Sequence, residues 1–157
     1  MDALEQRVRR MEDLAEIQRL QARYARLADR GWPAAGADGD ALAGLFTEDG
    51  IWSSPRVGTF EGRRAIAENL GRGTMSFSVH LIMNPEIDVD GDEATGAWRA
   101  LFALTTAAGQ AMWGAGAYQV RYRRTPEGWR IAHLRTESAF MTPYETSWAA
   151  AQGGGRS

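Results

Sequence analysis

From Met75 onward the chain alternates apolar and polar residues over four long stretches, and no other feature restricts its fold as much. His80, Ile82 and Asn84 alternate with Leu81 and Met83, and Ile87 and Val89 alternate with acidic residues. Trp98, Ala100, Phe102 and Leu104 share one face of the second stretch, and Tyr118, Val120 and Tyr122 share a face of the third. Trp129, Ile131, His133 and Arg135 share a face of the fourth. A repeat of two places successive side chains on opposite sides of a sheet, so each stretch predicts a half-buried strand. The connections, Asp90-Gly91-Asp92, Ala107-Ala108-Gly109 and Thr125-Pro126-Glu127-Gly128, are turn-forming. Short turns between consecutive strands predict an antiparallel meander.

The first half has a different period. Leu4, Val8, Met11, Ile17, Leu20, Tyr24 and Leu27 recur every three to four residues, which predicts one long helix over roughly Ala3 to Asp29 with a single apolar stripe. Gly31-Trp32-Pro33 stops it. Asp40 is placed to cap a short helix through Leu42, Leu45 and Phe46, and Glu48-Asp49-Gly50 reads as a turn. Ile51 to Ser53 and Val57 to Phe60 read as short strands, and Gly62 opens another short helix with Ile66, Ala67 and Leu70 on its buried side. Helices first and an antiparallel meander afterwards define an α+β fold. With 157 residues the chain fits one domain, expected over 1–148, followed by a flexible glycine-rich tail over 149–157. A tightly curled sheet leaves space between its concave face and the long helix, suited to an apolar ligand. The six tryptophans and five phenylalanines suit such a lining, or are simply core.

Composition narrows the chemistry. A net charge of −2 argues against a general nucleic-acid binder. There is no cysteine, so disulfides, thiolate nucleophiles and cysteine-ligated metals are excluded. The polar start Met1-Asp2-Ala3-Leu4-Glu5 lacks the apolar core of a secretory signal, and no apolar run approaches a bilayer-spanning length. A cytoplasmic protein with no membrane or nucleic-acid partner is expected. Serine-elbow, phosphate-loop and paired-histidine metal motifs are missing, so neither a cofactor nor a metal is expected.

Two histidines remain, His80 and His133. Histidine takes and returns a proton near neutral pH most readily, and best when a carboxylate fixes its tautomer. Asp29 sits at the C-terminal end of the long helix, where the helix dipole disfavours negative charge. It either pairs with a group such as His80 or lies solvated beyond an earlier helix end. His133 either lines the same cavity or is a core histidine bonded to a neighbour. Tyr24, just over one turn before Asp29, can face the same space. Trp52, Trp98 and Trp113, with Phe102 and Tyr118 on the strand faces, are candidates for the apolar wall. Arg135 either faces the pocket mouth or forms a surface ion pair with Glu137.

Several segments in order resemble one family. Ile17-Gln18-Arg19-Leu20 through Tyr24-Ala25-Arg26-Leu27-Ala28-Asp29-Arg30-Gly31-Trp32 resembles the opening helix of SnoaL-like proteins of the nuclear-transport-factor-2-like superfamily. Leu45-Phe46-Thr47-Glu48-Asp49-Gly50-Ile51-Trp52 and Phe60-Glu61-Gly62-Arg63-Arg64-Ala65-Ile66 resemble its next two segments. His80-Leu81-Ile82-Met83-Asn84-Pro85-Glu86-Ile87 resembles its histidine-bearing strand, and Gly128-Trp129-Arg130-Ile131-Ala132-His133 its closing hairpin. The resemblance implies a cone-shaped α+β barrel: a long N-terminal helix and short helices on a strongly curved, mostly antiparallel sheet.

Within that family the pattern is similar to lyases of the scytalone dehydratase and hexachlorocyclohexane dehydrochlorinase type. It implies an acid–base dyad of His80 and Asp29, and self-association as a dimer or trimer through the outer sheet face. The expected activity is a cofactor-independent elimination or isomerisation on a small hydrophobic organic substrate. His80 takes a proton from carbon, and Tyr24 or His133 polarises an oxygen. A polyketide cyclase-like enzyme and a non-catalytic binding or dimerisation module are the alternatives. The second histidine and the tyrosine pair of scytalone dehydratase have no clear counterparts here.

Overall fold

The computed structural model describes residues 2–71 and 73–149. All of the expected tail except residue 149 lies outside the described residues. The chain runs α1 (Ala3–Ala28), α2 (Gly39–Ala43), β1 (Phe46–Ser54), β2 (Gly58–Glu61), α3 (Gly62–Gly71), β3 (Met75–Asp90), β4 (Glu93–Thr106), β5 (Ala111–Thr125) and β6 (Gly128–Pro143).

Helix α1 opens on a reciprocal cap. The Asp2 carboxylate accepts the Glu5 N–H at 2.8 Å, and the Glu5 carboxylate accepts the Asp2 N–H at 2.8 Å. Its buried face consists of Asp13, Ile17, Leu20, Gln21, Tyr24 and Leu27. The predicted stripe therefore holds only from the middle of the helix onward. Leu4, Val8 and Met11 are exposed at 65%, 46% and 70%, so the apolar period continues where no layer covers it. The cap of α2 is Asp38 rather than Asp40: its carboxylate accepts the Ala41 N–H at 2.9 Å from an extended backbone.

All six strands form one sheet in the order β2-β1-β6-β5-β4-β3. Every neighbouring pair is antiparallel except β1 with β6. The sheet is curved and unclosed, with β2 and β3 as its two edges. Glu48-Asp49-Gly50, expected as a turn, is absorbed into β1 as a register irregularity against β6 between Phe46 and Ile51. Further shifts occur in β3 between Met83 and Glu86, and in the β5–β6 pairing at Ala115/Gly116 and Arg121/Tyr122. An extra residue on one strand bends it and increases local twist, which is how strands this long curl around a helix. Asn84 takes a positive φ of 53° at the β3 shift, a conformation that asparagine tolerates better than most residues.

The shift at Arg121/Tyr122 corrects one expectation. Arg121 pairs with His133 and Tyr122 with Ile131, which leaves Ala132 unpaired. An unpaired residue resets the alternation, since a one-residue slip moves every following side chain to the other face. Trp129, Ile131 and then Leu134 are buried in the core, while His133 and Arg135 lie on the outer face beside Arg121.

The core fills the space between α1 and the concave face. Tyr122, Trp129, Phe46, Ile17 and Ile131 are its largest fully buried members, together with Leu134 and the α3 residue Ile66. Arg63 joins α3 to β1 by donating from Nε to the Phe46 carbonyl at 2.9 Å. Among the described residues no helix is long and apolar enough to cross a membrane.

Candidate active site

The site begins where α1 ends. Asp29 is the C-cap of the helix, with extended backbone (φ −72°, ψ 149°), and its N–H still donates to the Ala25 carbonyl at 3.1 Å. The next residue, Arg30, forms a two-bond bridge with Ser78 of β3, at 3.2 and 3.0 Å. The Ser78 hydroxyl donates to the Ala28 carbonyl at 3.1 Å, and Trp32 Nε1 donates to the Ser78 carbonyl at 3.1 Å. The Arg30 guanidinium reaches the end of α3, donating to the carbonyls of Leu70 at 2.8 Å and Gly71 at 2.6 Å. Gly31 has φ +75°, and a side chain there would collide with the Ser76 carbonyl. The exit of α1 is thus tied to β3 on both sides of Asp29.

That anchoring places the carboxylate against His80. Asp29 Oδ1 accepts the backbone N–H of His80 at 2.8 Å and faces the ring Nδ1 at 2.8 Å. The carboxylate side chain is 7% exposed and the imidazole 18%. A carboxylate accepts and cannot donate when ionised, so Nδ1 carries a proton, and in the neutral ring the lone pair is then on Nε2. The ring is packed edge-on to Phe102, with centroids 5.4 Å apart and planes at 77°.

Four other predicted residues gather around the pair. Tyr24 is buried, and its hydroxyl accepts from Trp52 Nε1 at 2.9 Å. Burial raises the Tyr24 pKa, although the Trp52 bond works the other way. Trp52 is stacked on Phe60, with ring centroids 5.4 Å apart. Tyr118 sits 6.0 Å from Tyr24 and 6.1 Å from Phe102 between ring centroids. Burial, followed by the nearby Tyr24 and the Asp29 charge, pushes the Tyr118 pKa well above the ordinary tyrosine value. Trp98 is also inward and buried, but its Nε1 donates to the Tyr122 hydroxyl at 2.9 Å, which in turn donates to Gln21 Oε1 at 2.9 Å. A side chain on Gly96 would run into both Trp98 and Tyr122, so that pair needs a glycine beside it.

Three predicted residues are not brought to the pair. His133 lies on the outer face, 2.9 Å from the Ser53 hydroxyl through Nε2 and 3.4 Å from Arg121 through Nδ1. Burial and the charges of Arg121 and Arg135 hold its pKa below the usual histidine value, so it is neutral at pH 7. Arg135 is a surface residue 3.7 Å from Glu137. Trp113 follows the register of β5 onto the face opposite Tyr118, where it packs against Phe140 at 5.6 Å and Trp148 at 4.9 Å.

Space adjoins the His80 side of the dyad. A groove of about 450 Å³ lies between α1 and β3, lined by Gln21, Ala22, Ala25, His80, Ile82 and Trp98 among others. On the concave side, Phe60, Phe102 and Met112 are only half-buried. Gln21 was missed by sequence reasoning. It is 1% exposed, and the signal for it was a polar residue inside the Ile17–Leu20–Tyr24 stripe. Among the described residues no cluster of three or more His, Asp or Glu is placed to hold a metal ion.

A SnoaL-like domain matches residues 9–135, and the chain belongs to that family. Among solved structures, it is similar to an NTF2-like protein with a cystatin-like fold from Novosphingobium aromaticivorans: 29% identity, 96% of this chain and 93% of that one, TM-score 0.71. A Mycobacterium tuberculosis protein of unknown function is 31% identical over 88% of this chain and 76% of that one, with a TM-score of 0.71. A hexachlorocyclohexane dehydrochlorinase shares the fold at 21% identity, over 88% of this chain and 93% of that one, with a TM-score of 0.77. None of the functionally curated proteins compared with it matches.

Proposed function

We propose that the protein is a cofactor-independent lyase or isomerase that removes a proton from carbon on a small, mainly apolar organic molecule. One observation carries this reading: the 2.8 Å contact of Asp29 with His80 Nδ1, beside apolar space. His80 Nε2 takes the proton. Asp29 holds the ring in the tautomer that exposes the Nε2 lone pair and offsets the charge of the imidazolium that forms. The low exposure of both groups strengthens that offset, because little water screens it. Tyr24 keeps its proton at neutral pH and, with Trp52, shapes the wall beside the dyad. Membership of a family whose fold is shared by a dehydrochlorinase agrees with elimination chemistry. Loss of a leaving group after proton removal is elimination, and return of the proton to another carbon is isomerisation.

The test is deuterium incorporation from D2O into a panel of aryl ketones and β-substituted alcohols, followed by NMR, with wild type and His80→Ala. His80-dependent exchange or elimination with an unchanged melting temperature supports the reading. A variant that loses stability but no turnover makes the pair a structural hydrogen bond and the protein a binding module.

We also propose that the chain self-associates through its outer sheet face. Leu81, Met83 and Leu101 are exposed there at 50%, 38% and 37%. Sedimentation velocity of wild type against Leu81→Lys tests this, and a monomeric wild type sinks it.

A further inference from the structure

Helix α1 buries one side-chain amide, that of Gln21, at 1% exposure, and the two halves of that amide are treated differently. Oε1 accepts from the Tyr122 hydroxyl at 2.9 Å. Nε2 is buried as well, and among the described residues it has no hydrogen-bond partner. The donors that lead to the amide fix its direction. An indole N–H can only donate, so Trp98 Nε1 gives its proton to the Tyr122 oxygen at 2.9 Å. The phenolic proton must then go to an acceptor, and Oε1 is the acceptor it meets. Turning the amide over would break that bond, so its two N–H groups stay turned away from Tyr122. A buried donor with no partner gives up its bonds to water and gains none in return, and its retention calls for a partner from outside the chain.

The space beside Gln21 can admit one. The groove of about 450 Å³ between α1 and β3 is lined by Gln21 together with Ala22, Ala25, His80, Ile82 and Trp98. Ala22 and Ala25 carry only a methyl group each, which leaves the helix side of the groove open. No arginine, lysine or carboxylate belongs to its lining, so a neutral ligand suits it better than a charged one. Gln21 lies two turns before the cap residue Asp29, roughly 12 Å of helix rise. The base that Asp29 holds and the free amide donor are therefore set apart along one groove.

We propose that the groove between α1 and β3 seats the body of the substrate, and that Gln21 Nε2 donates to a neutral acceptor oxygen on the end remote from the carbon that loses its proton. The substrate class is then an elongated, mainly apolar molecule about the size of a bicyclic aromatic, with a ketone, ester or ether oxygen at its far end. Gln21 selects and orients this molecule and takes no part in the proton transfer. The apolar body lies along Ala22, Ala25 and Ile82 and brings the other end to His80.

Calling the ligand a substrate rests on the proton-abstraction reading, but the test needs no turnover. The probes are 2-acetylnaphthalene and 2-isopropenylnaphthalene, which carry oxygen or a methylene group at the same position. Both are titrated into 15N-labelled wild type by NMR. Wild type is expected to prefer the ketone about five-fold, as one net hydrogen bond allows. The Gln21 side-chain amide protons should move downfield with the ketone and not with the hydrocarbon. Nuclear Overhauser contacts should run from the bound naphthalene to the Ala22 and Ala25 methyl groups. Gln21→Met keeps the length of the side chain and donates nothing, so it should bind both probes equally. It also leaves the Tyr122 hydroxyl without its acceptor and should melt lower; if it does not fold, the wild-type measurements decide alone. The proposal is overturned if wild type binds neither probe or prefers neither, if the Gln21 amide responds alike to both, if the contacts lie elsewhere, or if folded Gln21→Met keeps the preference. Failure here with His80-dependent exchange intact leaves the dyad standing. A preserved ketone preference without exchange removes the base and leaves Gln21 as the donor of a binding site.

Discussion

Helix α1 carries two buried aspartates, Asp13 and Asp29, and their surroundings are opposites. Asp13 is fully engaged. Arg124 binds both of its oxygens at 2.8 Å, and Trp129 Nε1 donates to it at 3.0 Å. Arg124 also bonds Asp92 at 2.8 Å and lies over the Trp129 ring at 4.5 Å. Burial works to raise the Asp13 pKa, but the bonds from Arg124 and Trp129 and the Arg124 charge outweigh it, and the net direction is down. Asp29 has a histidine in place of the arginine. Arginine cannot give up its proton, whereas histidine changes charge near neutral pH. The middle of the helix is therefore clamped in a single charge state, and its C-terminal cap meets a group that can change charge during a reaction.

The largest effect that would sharpen this contrast is on rate. His80→Ala should lower deuterium exchange by about a hundred- to ten-thousand-fold, as expected for a lost general base, and Asp29→Asn should act in the same direction. Both should fold. If Asp29→Asn exchanges like wild type, the two aspartates do not differ in the way described.

Next comes stability. Asp13→Ala leaves Arg124 and Trp129 without their shared acceptor and should cost about 3 kcal/mol in urea unfolding, with exchange per folded molecule unchanged. Acid should act through the same group. A carboxyl whose folded pKa is depressed contributes stability above its unfolded value near ~4 and loses it as pH falls through the folded value. Wild type should thus lose stability below about pH 4 more steeply than Asp13→Asn, measured as melting temperature against pH.

A smaller effect belongs to the hydrogen-bonded chain that joins Gln21, between the two aspartates, to the sheet. Tyr122→Phe leaves Trp98 Nε1 and Gln21 Oε1 unpaired and should cost roughly 1–3 kcal/mol. The smallest effect is at His133. Its folded pKa is lowered, so the unfolded chain binds the proton more readily and stability falls as pH drops through about 6.5. His133→Ala should remove that part of the acid response and leave exchange unchanged. A lost exchange rate in His133→Ala would instead place the second histidine in the reaction.

Much of the site was legible in the chain itself, because its two principal residues sit at recognisable landmarks. Asp29 precedes the Gly31-Trp32-Pro33 stop, and His80 lies on the first long alternating stretch. Local pattern was enough to find both, and family resemblance joined them. Periodicity failed where it had to count across a bulge. Ala132 looks like any strand residue, and nothing local says that it is left unpaired. Grouping His133 and Arg135 on one face with Trp129 and Ile131 failed for that reason, while the surface ion pair of Arg135 with Glu137 is the alternative that formed; Trp113 was placed by its aromatic character rather than by the parity of β5. The exposed Leu4, Val8 and Met11 mark a similar limit: period reveals a stripe, but not whether a layer covers it.

The α+β class, the long helix, the four meander strands and the two candidate residues were determined by the sequence alone. They depend on 3.6- and 2-residue periods and on turn-forming residues, which act over a few positions. The tertiary structure decided which carboxylate met which base and which face each late-strand residue took. Those outcomes depend on register and on packing between segments tens of residues apart, and one unpaired residue in a ladder reverses them.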